Sequence, residues 1–221
     1  MNLPFSVDEF LGVFSAYNGA IGPAPLVLAA LAILATGLVF SRAEWSGRAI
    51  AGLLAMLWLW AGAVYHLGFF AAINPAAYAF GLAFVLEGLL LLWAGTVLGG
   101  LRFQAGRDAR TAVATVLVLY ALLVYPLLGL AFGHRYPAAP TFGAPCPVTI
   151  FTIGMLLIQR GRWQRLTLVV PLLWSVVGGS AAVVLGVRED LGLAVAGLAA
   201  AAFLLAVSAA GRRGAAPAGG G

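Results

Sequence analysis

Residues 50–71 read IAGLLAMLWLWAGAVYHLGFFA, and this run without Asp, Glu, Lys or Arg decides the fold class of the chain. A transmembrane helix needs about 20 mostly apolar residues. Six further apolar runs cover residues 22–40, 76–98, 111–132, 147–159, 166–185 and 191–210. Hydrophobic residues make up 63% of the 221 residues, far more than in a soluble domain. We therefore predict an all-α, polytopic membrane protein with seven transmembrane helices. The short fifth run is tilted little, extends into the Pro-rich loop before it, or does not span fully.

The arginines predict the orientation of these helices. Ten of the 12 basic residues lie in alternate gaps or after the last run: Arg42, Arg48, Arg102, Arg107, Arg110, Arg160, Arg162, Arg165, Arg212 and Arg213. The other gaps hold only Arg135 and Arg188. Because cytoplasmic loops of membrane proteins are enriched in Lys and Arg, we predict that the N-terminus lies outside and the C-terminus inside.

The net charge of +5 does not indicate a nucleic-acid partner, because the arginines flank the apolar runs one to three at a time and form no basic face. We expect the lipid bilayer, with its anionic inner leaflet, to be their partner. The chain contains no Lys, which excludes a retinal Schiff base.

Two terminal segments flank the predicted seven-helix transmembrane domain, residues 21–210. Residues 1–20 contain Ser6 and Glu9 at capping-box spacing, followed by aromatic residues on one side of a helix, so we predict an amphipathic interfacial helix. Residues 211–221 are only Gly, Ala, Pro and Arg, too poor in bulky side chains to pack, so we predict a disordered cytoplasmic tail.

Glu87 is the only charged residue deep in a predicted span. A charged carboxyl there costs about 2.5–3.5 kcal/mol on insertion scales, so its side chain should face the protein interior, where burial favours the neutral form. In one interpretation Glu87 is a proton-coupling or substrate-binding acid in a site with Trp58, Tyr120 and Trp174. In the other it is a neutral carboxyl hydrogen-bonded to Tyr120, Ser175 or the indole NH of Trp58, Trp60 or Trp174.

Several polar residues fall on the predicted outer side, and they form a second candidate site: His66, Asn74, His134, Glu189 and Asp190. Together with Cys146, the two histidines provide two imidazoles and a thiolate, which are ligands for zinc or copper. Glu189 or Asp190 would be the fourth ligand. The alternative interpretation is two structural histidines and an inert cysteine.

The two halves of the chain share a pattern. Residues 22–27 and 143–148 each open a span with Pro and Gly, and each of these spans leads into an Arg-x-x-Trp loop, at residues 42–45 and 160–163. This pattern indicates a 3+1+3 parallel repeat, unless these residue types recur independently at membrane boundaries. In helix count, order and orientation the plan resembles the SWEET family of sugar transporters.

Five strings carry a further resemblance: WLWAGAVYH (58–66), NPAAY (74–78), GHRYP (133–137), FGAPCPVTIFT (142–152) and GVREDLGL (186–193). Together they resemble a family of small bacterial multi-pass membrane proteins catalogued as a domain of unknown function. The resemblance extends over nearly the whole chain. It implies the fold and a location in the bacterial cytoplasmic membrane, and it implies no activity.

Three functions remain open at this point. The leading hypothesis is a transporter-like permease, in which a small solute or ion binds in an outward-facing cavity among the second, third, fourth and sixth helices and Glu87 supplies polarity or proton coupling. The second is a membrane enzyme or metal-binding redox protein with a His and Cys site on the outer face. The third is an accessory membrane subunit that docks a partner.

Overall fold

Helices form nearly the whole structure. The computed structural model describes residues 4–214, with side chains as far as residue 209. Its helices are α1 (Val7–Ile21), α2 (Ala24–Leu38), α3 (Ser46–Trp60), α4 (Ala77–Leu91), α5 (Ala109–Leu119), α6 (Tyr125–Ala131), α7 (Pro145–Leu157), α8 (Gln164–Thr167), α9 (Val169–Leu185) and α10 (Leu191–Gly214). Two short strands, β1 (Arg102–Phe103) and β2 (Gln159–Arg160), pair antiparallel. The predicted all-α class is confirmed.

Three helices continue in π-helical turns: α3 through Ala61–Leu67, α4 through Leu92–Val97, and α5 through Tyr120–Val124 into α6. Five helical stretches are long and apolar enough to cross a membrane, namely Ser46–Ala72, Ala77–Val97, Ala109–Ala131, Gln164–Leu185 and Arg188–Ala209. We call the first two the α3 stretch and the α4 stretch. The bent pair α1 and α2 adds a sixth if it counts as one span. These long apolar helices support a membrane protein, whereas the count of seven spans, their orientation and the 3+1+3 repeat stay predictions.

The chain bends by 84° between α1 and α2. The predicted capping box at the start of α1 is confirmed, because Ser6 Oγ accepts the N–H of Glu9 and the Glu9 carboxylate accepts the N–H of Ser6. At the end of α1, Gly22 has φ +55°, a backbone conformation that side chains with a Cβ rarely adopt. Glycine at this position therefore permits the sharp turn into α2.

The fifth predicted span corresponds to α7, which has 13 residues. At 1.5 Å per residue this helix is about 20 Å long, shorter than the hydrocarbon core of a bilayer. Apart from Cys146, which is half-buried, every residue of α7 is buried, and the helix packs against α3, α5, α9 and α10. It is therefore a central core helix that the other helices surround.

Most of the arginine-containing loops meet at one end of the bundle. We call this the Arg-rich end, and it comprises residues 41–45, 98–108 and 158–163. β1 and β2 join two of these loops, with Arg102 opposite Arg160. Arg48 donates hydrogen bonds to the carbonyls of Thr96 and Val97 at 2.9 and 3.0 Å, which ties the start of α3 to the end of the α4 stretch.

Asp108 closes this end of α5 as its N-cap. Its carboxylate accepts hydrogen bonds from the backbone N–H and the hydroxyl of Thr111, and these lower the pKa of Asp108. Arg160 Nη2 lies 3.8 Å from the same carboxylate, so β2 is also tied to the start of α5.

The opposite end, which we call the Arg-poor end, comprises residues 74–76, 133–144 and 186–190. At the C-terminus, α10 continues to Gly214, four residues into the segment predicted to be a disordered tail. The Ala-rich run that precedes this segment is a strong helix former, which explains the longer helix. The remainder of the predicted tail, 215–221, lies outside the described residues.

Candidate functional site

An aromatic cavity of about 190 Å³ lies at the Arg-poor end. Side chains from the α3 stretch, α4, α6 and α9 form its walls, and these are the helices among which the sequence predicts a cavity. Five of the wall residues from these helices are aromatic: Tyr65, Phe70, Phe80, Tyr125 and Trp174. A ligand in this space would therefore contact mainly aromatic rings.

α1 and the residues just before it close another side of the cavity with Phe5, Phe10 and Phe14. The Phe10 ring centroid lies 5.1 Å from that of Phe14 and 6.0 Å from that of Phe70, which connects α1 to the end of the α3 stretch. The sequence predicts these aromatic residues as one side of an interfacial helix. In the structure that side covers the cavity.

Asn18 holds α1 in this position. It is fully buried, and its Nδ2 donates to the carbonyls of Pro137 and Ala139 at 2.6 and 2.8 Å, while its Oδ1 accepts from the Thr141 hydroxyl at 2.7 Å. The sequence analysis missed this residue. The available signal was a polar amide one helical turn after Phe14, on the aromatic side of α1.

Two adjacent acidic residues lie at the cavity end of α10, and one of them lines the cavity. Glu189 and Asp190 belong to a 3-10 turn, Arg188–Asp190, directly before α10, and both side chains are buried. Asp190 lines the cavity, and its Oδ1 accepts a hydrogen bond from the Tyr125 hydroxyl at 2.5 Å. The thiol of Cys146 lies beside the same carboxyl and also lines the cavity.

Glu189 does not line the cavity. Its Oε1 lies 2.6 Å from Nδ1 of His134, and its backbone carbonyl accepts a hydrogen bond from the Tyr120 hydroxyl at 2.7 Å. The two acidic residues thus have separate surroundings. Glu189 fixes the loop after α6, and Asp190 remains at the cavity wall.

His66 lies behind the cavity wall and does not line it. It is fully buried, and its ring centroid is 4.8 Å from that of Phe84 and 5.0 Å from that of Trp174. Neither ring nitrogen has a hydrogen-bond partner within the described residues. Asn74, by contrast, lines the cavity, and its Oδ1 accepts the N–H of Ala76 at 3.1 Å.

The three candidate metal ligands have different neighbours. His134 contacts Glu189, Cys146 lies beside Asp190, and His66 is surrounded by aromatic rings. In the part of the chain that the structure describes, no three His, Cys, Asp or Glu side chains are grouped as metal ligands. The structure therefore gives the zinc or copper hypothesis no assembled site.

Glu87 is buried as predicted, with 1% of its surface exposed. Its expected hydrogen bonds are not formed, since neither carboxyl oxygen has a partner among the described residues. Four of the five expected partners bind elsewhere: Tyr120 to the Glu189 carbonyl, Ser175 to the Pro171 carbonyl, Trp58 to Thr152 and Trp60 to Tyr17. The fifth, the indole NH of Trp174, lies beside the Cys146 sulfur and does not bind the Glu87 carboxyl. The carboxyl is therefore not held by a side chain of a neighbouring helix.

An aromatic cluster of Trp58, Phe84 and Trp174 lies next to the cavity. The ring centroids of Trp58 and Phe84 are 4.3 Å apart, and those of Phe84 and Trp174 are 5.1 Å apart. Of the four predicted substrate-site residues, only Trp174 lines the cavity, whereas Glu87, Trp58 and Tyr120 lie outside its walls.

Helix spacing places Glu87 beyond this cluster. Phe80, Phe84 and Glu87 occur at positions i, i+4 and i+7 of α4, which share one face of a helix. Phe80 lines the cavity, Phe84 belongs to the aromatic cluster, and Glu87 follows about 10 Å further along the helix axis from Phe80. The order from the Arg-poor end is therefore cavity, aromatic cluster, carboxyl.

Comparison with known protein families gives a match over most of the chain. The model of DUF6064, described as a family of unknown function, matches residues 7–214, which confirms the resemblance of the five strings to such a family. No curated protein and no solved structure matches the chain.

Proposed function

The chain belongs to DUF6064, a family of unknown function that brings no activity with it, and we propose from the geometry that this protein is a permease for a small, largely apolar solute. The aromatic cavity at the Arg-poor end, with the carboxyl of Asp190 in its wall, is the observation that carries the proposal. Small-molecule sites are typically concave and mostly apolar, with a few placed polar groups. This cavity has those properties.

The charge distribution predicts the side of the membrane that the cavity faces. If the Arg-rich end faces the cytoplasm, as the positive-inside rule predicts, the cavity faces the outer side of the membrane. A solute would enter it from the outer water or the outer leaflet, beside α1. The cavity is then the outward-facing binding site of the permease.

The route onward passes the aromatic cluster. Phe84 and Trp174 are in contact, so they must separate before a solute can leave the cavity toward Glu87. A carboxyl without a hydrogen-bond partner in an apolar interior marks a proton relay or an ion pathway in membrane proteins. Glu87 is accordingly our proposed proton-coupling residue.

The π-helical turns support movement at this place. Such turns are rare, and they occur frequently at functional sites. Ala61–Leu67 contains Tyr65, which lines the cavity, and Tyr120–Val124 ends directly before Tyr125. The irregular turns therefore lie in the helices that would have to rearrange.

The experiment that tests the permease compares Glu87→Gln with Glu44→Gln, which alters an exposed carboxyl at the Arg-rich end. Each purified protein is reconstituted into liposomes that contain a pH-sensitive dye, and proton entry is followed under an imposed membrane potential, with and without small aromatic solutes. We expect solute-stimulated proton entry in the wild type and Glu44→Gln, and its loss in Glu87→Gln. Wild-type liposomes that behave like empty ones with every solute would refute a proton-coupled permease.

Cys146 provides a direct readout of the cavity itself. It is the only thiol of the chain and lines the cavity, so a small uncharged methanethiosulfonate should modify it, and Cys146→Ser gives the background. A solute that occupies the cavity should slow this modification. If a solute stimulates proton entry without slowing the modification of Cys146, the transported solute binds outside this cavity.

A further inference from the structure

We propose that the solute is a small lipophilic organic cation, bound with its positive charge beside Asp190 and among the aromatic rings of the cavity. The proposal rests on the permease function above and names the substrate class of the same site. Two observations carry it: the surroundings of Asp190 and the aromatic rings of the cavity.

Among the residues that the structure describes, no basic side chain forms a salt bridge with Asp190. The contacts between basic and acidic side chains in this part of the chain join His134 with Glu189 and Arg160 with Asp108. The guanidinium of Arg188, two positions before Asp190, lies over the Phe132 ring instead, 5.4 Å from its centroid. A buried carboxylate without a counter-charge is unfavourable, and a cation in the cavity would supply that charge.

The walls of the cavity suit a cation whose charge is surrounded by apolar groups. Aromatic faces attract ammonium groups, most strongly where water is excluded, and recognition of quaternary ammonium ligands relies on such rings. Tyr65, Phe70, Phe80 and Trp174 provide these rings on the same cavity that Asp190 lines. An anion would be repelled by Asp190, and a neutral solute would leave the carboxylate without a counter-charge.

Phenyltrimethylammonium is the probe, because it is small and aromatic and its charge cannot be removed. tert-Butylbenzene is its uncharged counterpart of the same shape. Binding of the radiolabelled cation to wild-type protein in lipid nanodiscs is measured by equilibrium dialysis, with empty nanodiscs as background and tert-butylbenzene as competitor. The variants are Asp190→Asn and, as a matched control, Asp8→Asn, which alters an exposed carboxyl in the first turn of α1.

We expect the wild type to have an affinity for the cation about tenfold or more higher than its affinity for tert-butylbenzene, measured by competition. The reason is that a buried charge pair contributes binding free energy beyond that of shape. Asp190→Asn should lose this preference, and Asp8→Asn should keep it. If Asp190→Asn does not fold, the comparison of the two ligands on the wild type still tests the cation proposal.

Two failures are distinguishable. Equal competition by tert-butylbenzene, or cation binding that Asp190→Asn leaves unchanged, overturns the cation proposal. If the cation does not bind but tert-butylbenzene still slows modification of Cys146, the cation proposal falls and the permease for an apolar solute stands. If neither ligand binds nor protects Cys146, the cavity is not a solute site and both proposals fall.

Discussion

The hydroxyl of Tyr125 donates a hydrogen bond to the carboxyl of Asp190 at the wall of the cavity. Tyr125 is the first residue of α6, and Asp190 ends the turn before α10, 65 positions later in the chain. The bond therefore joins two helices and orients the carboxyl that we assign to the solute. Its removal is expected to affect both stability and the site.

Tyr125→Phe should lower the stability of the protein because it keeps the buried ring and removes the donor. A hydrogen bond to a carboxyl contributes about 1.5–3 kcal/mol, so we expect a clear decrease in the thermal unfolding temperature in detergent. Tyr78→Phe is the matched control, since Tyr78 is exposed on the outside of α4. Equal unfolding temperatures for the two variants would show that the Tyr125 bond contributes no stability.

Asn18→Ala should release the loop of residues 133–144 from α1. The substitution leaves the carbonyls of Pro137 and Ala139 without their donor, at a cost of about 1–3 kcal/mol for each group that stays buried. We expect faster amide hydrogen exchange in this loop and in α1. Asn74→Ala is the control, because Asn74 bonds only within its own turn, and no exchange difference between the two variants would contradict this role of Asn18.

The positions of the long helices could be predicted from the sequence, because hydropathy along a span depends on local residues. The predicted run 76–98 corresponds to Ala77–Val97, and the run 111–132 corresponds to Ala109–Ala131. The central position of α7 could not be predicted in the same way. Lipid-facing and protein-facing surfaces are both apolar in a membrane protein, so hydropathy does not separate a core helix from an outer one.

The site was only partly predictable for a related reason. The burial of Glu87 follows from its charge alone, whereas its missing hydrogen bonds depend on where Tyr120 and Trp58 find their partners. The cavity is assembled from segments as distant as Phe5 and Trp174. An aromatic side of α1 fits a lipid interface as well as a cavity wall, and only tertiary packing distinguishes the two.

Gly95→Ala should destabilise the packing between the end of the α4 stretch and α3. A Cβ at Gly95 would collide with the methyl group of Ala51, and overpacking of this kind costs about 1–3 kcal/mol. Gly37→Ala is the matched control on α2, where a Cβ meets nothing within 4 Å. We expect thermal unfolding to shift downward for Gly95→Ala and to stay unchanged or rise slightly for Gly37→Ala. The reverse order would contradict the close approach of the two helices.

Purified protein should contain no stoichiometric transition metal, because His66, His134 and Cys146 each have different neighbours. Elemental mass spectrometry after purification without chelator measures this directly. His66→Leu should then be close to neutral in stability, since neither ring nitrogen has a hydrogen-bond partner among the described residues and an apolar side chain suits the aromatic surroundings. About one metal per chain, lost in His66→Leu, would instead restore the metal-site hypothesis.

The Arg-rich end should face the cytoplasm, and single cysteines can test this. Cys146 is first replaced by Ser, and Glu44→Cys or Arg135→Cys then places one thiol at the Arg-rich or the Arg-poor end, both at exposed positions. On intact cells, a membrane-impermeant maleimide should label the cysteine at 135 and leave the one at 44 unlabelled until the cells are lysed. Because the arginines outnumber all other charged residues at the loops of one end, the positive-inside rule requires this order. Labelling of position 44 alone on intact cells would show that the topology is the reverse of the predicted one, with the cavity at the cytoplasmic side.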